Sequence, residues 1–239
     1  IMPISEVSIS AKANVMRYDI NEIEALLAAF TDIQMPDDYT RKTPYITITN
    51  TAYPDFNERF IQYATEWIQQ SSYSSEAKNL FSLCVINSLE RCSYTSKSGQ
   101  YLSWDSRSKK VIEANKERAK AGRRLLPEHH CREEIENIKD AIRDELRHVL
   151  SDIKMIQASG NNETQAEILY KQNSVLFELP KMPDGLLKGV ITSPPYCNRY
   201  DYTRTYALEL VYLGIGEDAI KQLRQDLLSC TVESKPKIE

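Results

Sequence analysis

Three observations predict an α/β fold, incomplete in its sheet and interrupted by a largely helical insertion. Short β-branched runs alternate with loops and helix-like stretches toward the two ends of the chain, the pattern of a sheet with helices packed on it. Between Asp55 and about Met155, apolar residues recur three and four apart, the period of helices with one buried face. The last strand-like run ends in a proline-rich loop, the strand-end position at which open α/β sheets carry their sites. The chain divides accordingly into an α/β part at 1–52, a helical insertion at 53–157, and an α/β segment at 158–239 that holds the chemistry.

Taken in order, residues 4–16 and 20–30 read as helices. In the second, Ile23, Leu26, Leu27 and Phe30 share a face, and Asp19 or Asn21 caps its start. Pro36 and Pro44 mark a polar connection, after which Tyr45–Thr49 alternates apolar and hydroxyl residues and predicts a short strand. Three apolar stripes follow in the insertion: Phe56, Phe60, Ile61, Ala64, Trp67 and Ile68; then Leu80, Phe81, Cys84, Val85 and Leu89; then Ile135 through Ile156 at helical spacing. Ala166–Tyr170 and Leu187–Thr192 predict two strands separated by Pro180, Pro183 and Gly185. Thr203–Leu213 and Asp218–Leu228 predict helices.

Composition narrows the function. With 41% hydrophobic and 27% charged residues, the 239-residue chain can bury a core and is too apolar for disorder. No apolar run approaches the ~20 residues of a membrane span, so no membrane partner is expected. Cys84, Cys92, Cys131, Cys197 and Cys230 are odd in number, scattered and free of any CxxC pair. That pattern predicts reduced cytoplasmic thiols rather than a disulfide framework or zinc cluster. The net charge of −4 excludes a globally basic nucleic-acid binder while leaving room for a local basic face. The 7 glycines form neither GxGxxG nor a P-loop, so no glycine-rich cofactor loop lies within these residues.

The informative stretch is Gly189-Val-Ile-Thr-Ser-Pro-Pro-Tyr196, in which a β-branched run meets Ser-Pro-Pro-Tyr. Two prolines remove two backbone donors and leave bare carbonyl acceptors, while Ser193, preceding a proline, is biased to extended geometry. A hydroxyl, adjacent bare carbonyls and an aromatic plate suit a flat ring that bears N–H donors, such as the exocyclic amine of a nucleobase. Stacking on Tyr196 is worth ~1–3 kcal/mol, comparable with the few kcal/mol needed to unstack a base from a duplex. A rigid turn after a strand is the competing structural reading of the same four residues.

Thr192-Ser-Pro-Pro-Tyr196 resembles the catalytic motif of the amino-group DNA methyltransferases, which methylate cytosine N4 or adenine N6 with S-adenosylmethionine. Tyr196–Leu210, Leu223–Glu233 and Ser93–Asp105 also resemble a bacterial branch of these enzymes, so the resemblance runs along most of the chain. It implies an incomplete Rossmann-like methyltransferase fold, with 1–52 forming part of the cofactor-binding half. It further implies that Ser193 and the Pro194 carbonyl hold the target amine, Pro195 shapes the turn and Tyr196 stacks on the flipped base. Asn173 sits where the family often has an acidic residue near the cofactor adenine, and is a departure from the pattern. The family's aromatic–x–Gly–x–Gly loop is absent; Ile1-Met-Pro3 looks like the tail of the strand that follows it. The main S-adenosylmethionine loop is thus expected upstream, and this chain alone is expected to be inactive. The chemistry is direct displacement at the sulfonium methyl, with no metal and no covalent intermediate, so Cys197 is expected to be a packed thiol. Serine in the first motif position leans toward cytosine N4.

The implied partners are double-stranded DNA and a cognate restriction endonuclease. Arg199, Tyr200 and Arg204 lie close to Tyr196 in sequence and are candidate DNA contacts. So are Lys109, Lys110, Arg123 and Arg124, which belong to Asp105–Leu126, a segment with eight basic and three acidic residues. A solvated helix face is the plain alternative for that segment. His129-His130 and Glu133-Glu134 lack a third ligand at metal spacing and read as surface residues. Two rival functions stay open at this level: methylation of an RNA base or a protein glutamine by the same fold, and a catalytically dead remnant that binds DNA or a partner.

Overall fold

The computed structural model describes residues 2–98, 101–159, 168–170, 173, 175–191 and 201–226. Their regular structure is helical apart from one hairpin. In chain order it comprises α1 (Pro3–Ala13), α2 (Ile20–Asp32), α3 (Asp55–Gln70), α4 (Ser75–Leu89), β1 (Thr95–Ser98), β2 (Tyr101–Trp104), α5 (Lys109–Lys120) and α6 (Ile138–Ala158). It continues with α7 (Val175–Glu178) and a 3₁₀ turn at Leu179–Lys181, then α8 (Tyr202–Thr205), α9 (Ala207–Tyr212) and α10 (Glu217–Asp226).

Local chemistry sets the helix starts. Pro3 occupies the first turn of α1, where its missing N–H costs no hydrogen bond. Of the two candidate caps for α2, Asp19 does the work, accepting from the Asn21 N–H at 2.9 Å. Ser74 caps α4 through the Ala77 N–H and also donates its hydroxyl to Glu22 of α2 at 2.7 Å, so one residue starts a helix and ties it to another. Ser108 and Asn137 cap α5 and α6 in the same way.

Helices α2, α3, α4 and α6 bury the predicted stripes against one another. Phe30, Phe60, Phe81, Leu89, Ile142 and Leu146 are essentially inaccessible, and Phe30 meets Phe60 and Phe81 edge-on. Leu208 of α9 enters the same core, while Ile46, Leu210, Val211 and Ile220 make a smaller one beside it. Three stripe members behave differently: Phe56 is partly exposed and stacks on Phe60, Ile156 is partly exposed near the end of α6, and α6 begins at Ile138, leaving Ile135 before the helix.

The predicted strand at Tyr45–Thr49 is instead a tight turn. The Thr49 N–H donates to the Ile46 carbonyl at 2.9 Å, and the Thr49 hydroxyl accepts from the Ile46 N–H at 3.0 Å. The Thr49 side chain satisfies main-chain groups locally and removes the need for a strand partner there. Of the run Ala166–Tyr170, the described residues 168–170 are exposed and irregular, and Tyr170 donates to Glu6 of α1 at 3.2 Å. Residues 187–191 are likewise irregular, with Val190 and Ile191 exposed. No neighbouring strand among the described residues supplies the ladder that such β-branched runs need. The reverse difference lies at residues 95–104, where β1 and β2 pair antiparallel with Thr95 opposite Trp104 and Ser98 opposite Tyr101. Ser and Thr fill the alternate positions of this hairpin, so its hydrophobic alternation is too weak to stand out from the helical texture around it.

Helices α3 and α6 are locked by one polar side chain. Buried Asn57 donates to the Cys92 and Glu136 carbonyls, each at 2.9 Å, and accepts from the Ile138 N–H at 3.1 Å. Asn57→Ala leaves these buried main-chain groups without partners and is expected to cost about 2–3 kcal/mol. Urea unfolding of the variant beside the parent measures it; a parent-like midpoint would contradict the role given to Asn57.

Candidate nucleic-acid interface

The hairpin is held upright from both sides. At its base, the Arg132 guanidinium donates to the Glu90, Ser93 and Thr95 carbonyls. Asp105, fully buried, accepts from the Arg107 side chain at 2.8 Å and from the Cys131 N–H at 2.9 Å. The Arg107 guanidinium, with hydrogen bonds from the Arg107 and Cys131 amides adding to it, holds the Asp105 carboxyl far below the usual range. On the other side, Lys97 of β1 reaches Glu209 of α9 at 2.5 Å, with its ammonium 4.5 Å from the centre of the Tyr206 ring. Burial pushes the Glu209 carboxyl up, against the opposing pull of Lys97. Its second oxygen, Oε2, is buried without a hydrogen-bond partner among the described residues.

Helix α8 is fixed by its own cap. Asp201, almost fully buried, accepts from the Thr203 N–H at 3.0 Å and hydroxyl at 2.6 Å. Its carboxylate also pairs with Arg204 at 3.2 Å and with Arg224 of α10 at 2.8 Å. Between the hairpin and these two helices opens a cleft of about 260 Å³. Tyr101, Leu102 and Trp104 come to it from β2, Lys110 from α5, Arg204 from α8, and Ile220, Lys221 and Arg224 from α10, over Ile46 and Ile48 of the turn. Arg204 lies over the Tyr101 ring, 5.7 Å from its centre, and the Lys110 ammonium lies 4.1 Å from the centre of Trp104. Glu217, at the rim, is turned to the Thr47 hydroxyl and N–H.

The structure thus brings together Arg204 and Lys110, two predicted DNA contacts far apart in sequence. Lys109 is exposed beside them and pairs with Glu113. Arg123 and Arg124 sit beyond the other end of α5, roughly 18 Å away by helix rise, on an exposed loop over 121–130. The Arg124 carbonyl accepts from Arg118, and the Leu126 N–H donates to Asn115, which staples the loop back to α5. Arg107, one of the eight basic residues of the segment, is engaged by Asp105 and the Arg132 and Glu133 carbonyls and serves the hairpin instead. Ser193, Pro194, Pro195, Tyr196, Arg199 and Tyr200 lie outside the described residues. Asn173 is exposed and donates to Glu178 of α7 at 2.7 Å. His129 bonds the Ser103 hydroxyl and His130 pairs with Glu128. No described helix is long and apolar enough to cross a membrane. Tyr101, Trp104 and Arg224 were not among the residues predicted from sequence; the signal for the first two is the Tyr-Leu-Ser-Trp run, legible only once the hairpin is recognised.

The chain is 41% identical over 240 residues to the Type II methyltransferase M.BsoBI of Geobacillus stearothermophilus, an alignment covering 100% of this chain and 47% of that protein. It is 41% identical over 202 residues to the Type II methyltransferase M.AvaI of a Nostoc species, covering 80% of this chain and 37% of the relative. The chain belongs to the sequence family of these Type II methyltransferases. It spans less than half the length of either relative. No protein-family model matches it, and no solved structure does.

For this methyltransferase-family chain the Lys97–Glu209 pair yields a test with a definite sign. A carboxyl whose folded pKa stands above its unfolded value binds more protons when folded, so stability is lost as pH rises between the two. Lys97→Met strands the Glu209 charge and is expected to cost about 3–5 kcal/mol near neutral pH. The deficit should shrink in mildly acidic buffer, because burial raises the Glu209 carboxyl and favours its protonated, uncharged form. Urea unfolding at both pH values measures this; a deficit independent of pH would contradict it.

Proposed function

We propose that the full-length protein is a site-specific DNA methyltransferase that modifies an exocyclic amino group, cytosine N4 in preference to adenine N6, within a restriction–modification system. The observation that carries this reading is Thr192-Ser-Pro-Pro-Tyr196 in a chain aligned over its whole length with a Type II methyltransferase. The relatives' names favour DNA over an RNA base or a protein glutamine as substrate.

In this reading Ser193 Oγ and the Pro194 carbonyl accept the N–H bonds of the target amine and aim its nitrogen lone pair outward. Pro195 stiffens the turn, so the acceptors are in place before the base arrives. Tyr196 stacks on the base and compensates part of the cost of withdrawing it from the duplex. S-adenosylmethionine supplies the methyl group, made electrophilic by its sulfonium sulfur. Lys109, Lys110, Arg123, Arg124, Arg199 and Arg204 meet backbone phosphates, with Tyr200 beside them, and the cognate endonuclease cuts the same sequence when it is unmodified.

Two outcomes test this. Ser193→Ala is expected to lower the single-turnover methylation rate while leaving DNA affinity nearly intact. Tyr196→Ala should also release an extrahelical base, by about 1–3 kcal/mol. Rapid-quench methyl transfer beside fluorescence of 2-aminopurine at the target reads both, and parent-like rates in the two variants would reduce the motif to a turn. Separately, Lys109→Ala, Arg123→Ala and Arg124→Ala combined should weaken binding on all DNA sequences and flatten the salt dependence by about one unit of slope per lost phosphate contact. An unchanged slope would return α5 and its loop to the role of a solvated face.

A further inference from the structure

The cleft beside Arg204 has features that phosphate contact alone does not require. Its floor is apolar, formed by Ile46, Leu102 and Ile220, and its wall carries the Tyr101 and Trp104 rings. A phosphate needs donors and gains nothing from such a floor, whereas the ring of a nucleobase gains from both floor and wall. The cations lie over one face of each ring, Arg204 over Tyr101 and Lys110 over Trp104, within reach of the phosphate of a nucleotide whose base enters the cleft. At about 260 Å³ the space lies just under the roughly 300–1,000 Å³ of pockets for drug-sized ligands, room for one nucleotide and far too little for a duplex. Asp201 holds Arg204 in place, so part of the ordering cost of binding is met before the ligand arrives.

We propose that this cleft receives one unstacked nucleotide of a DNA strand, its base against Tyr101 and its phosphate toward Arg204 and Lys110. The proposal rests on the reading of the protein as one that acts on DNA. It assigns to the helical insertion, through its hairpin, a part in holding a base that has left the stack. Tyr101 is 57% exposed, so its loss removes a stacking surface without opening the core.

Trp104 puts an optical reporter in the cleft, and the Trp104→Phe variant assigns the signal to it, while Trp67 is packed against Phe30 and Phe81 in the core. The full-length protein is titrated with a short single-stranded oligonucleotide, the same strand made abasic, and the corresponding duplex, with tryptophan fluorescence followed at fixed salt. The intact strand should quench saturably, and the Trp104→Phe variant should lose the quench. Tyr101→Ala should weaken binding about tenfold, and Tyr101→Phe, which keeps the ring, should restore it. Equal affinity for the abasic strand, or parent-like binding by Tyr101→Ala with parent-like unfolding, would overturn the proposal. Methyl transfer to duplex DNA is measured on the same preparation: its absence counts against the methyltransferase reading, while the fluorescence decides the cleft.

Discussion

The ion pair between Lys97 and Glu209 is the constraint on which the arrangement of the candidate interface depends. Each charge sits where burial alone would disfavour it, and each is kept charged by the other. Lys97 belongs to the β1–β2 hairpin and Glu209 to α9, so a contact between residues over a hundred positions apart in the chain joins these two elements, beside the packing of Leu208 into the main core. The cleft lies between the elements so joined, with β2 as one wall and α8, continuous with α9, as the other. A hydrophobic pair of similar size would hold the two parts together but would not fix the angle between them as a short charged hydrogen bond does.

Around that joint, polar side chains do most of the positioning. Arg132 and Asp105 bind the foot of the hairpin to the chain before α6, and Asp201 gathers Arg204, Arg224 and the first turn of α8 at one carboxylate. The cations that face outward from this framework, Lys110 and Arg204, therefore project from anchored elements. Anchored cations lose less freedom on meeting a phosphate than cations on loose segments. The hairpin and α5 accordingly give the cleft both a cation and a fixed wall.

What was legible in the sequence follows from where the signals are local. Helical periodicity read Phe60, Ile61, Ala64, Leu80, Phe81, Cys84, Ile142 and Leu146 correctly as buried, because a 3.6-residue period needs no partner to be visible. Strand signals failed in both directions. Tyr45–Thr49 has the alternation of a strand, yet Thr49 closes a turn, and Thr95–Trp104 lacks the alternation yet pairs, because its hairpin is held by Arg132 and Glu209 from distant parts of the chain. The same reason hid most of the cleft. Arg204 and Lys110 were readable as cations near a basic run, but Tyr101, Trp104 and Arg224 acquire meaning only from long-range packing. Asn57, which bridges three segments, carried no signal at all, since a buried asparagine is defined by its partners and those are set by tertiary structure.

The central claim is chemical, that a nitrogen outside the ring of a DNA base accepts the methyl group. The direct measurement is to incubate the full-length protein with duplex DNA and S-adenosylmethionine bearing a deuterated methyl, digest the DNA to nucleosides and locate the label by mass spectrometry. The account predicts label on the exocyclic nitrogen of deoxycytidine. Label on adenine N6 would keep amino-group methylation and overturn the choice of base; label on a ring carbon, or on no base, would contradict the account.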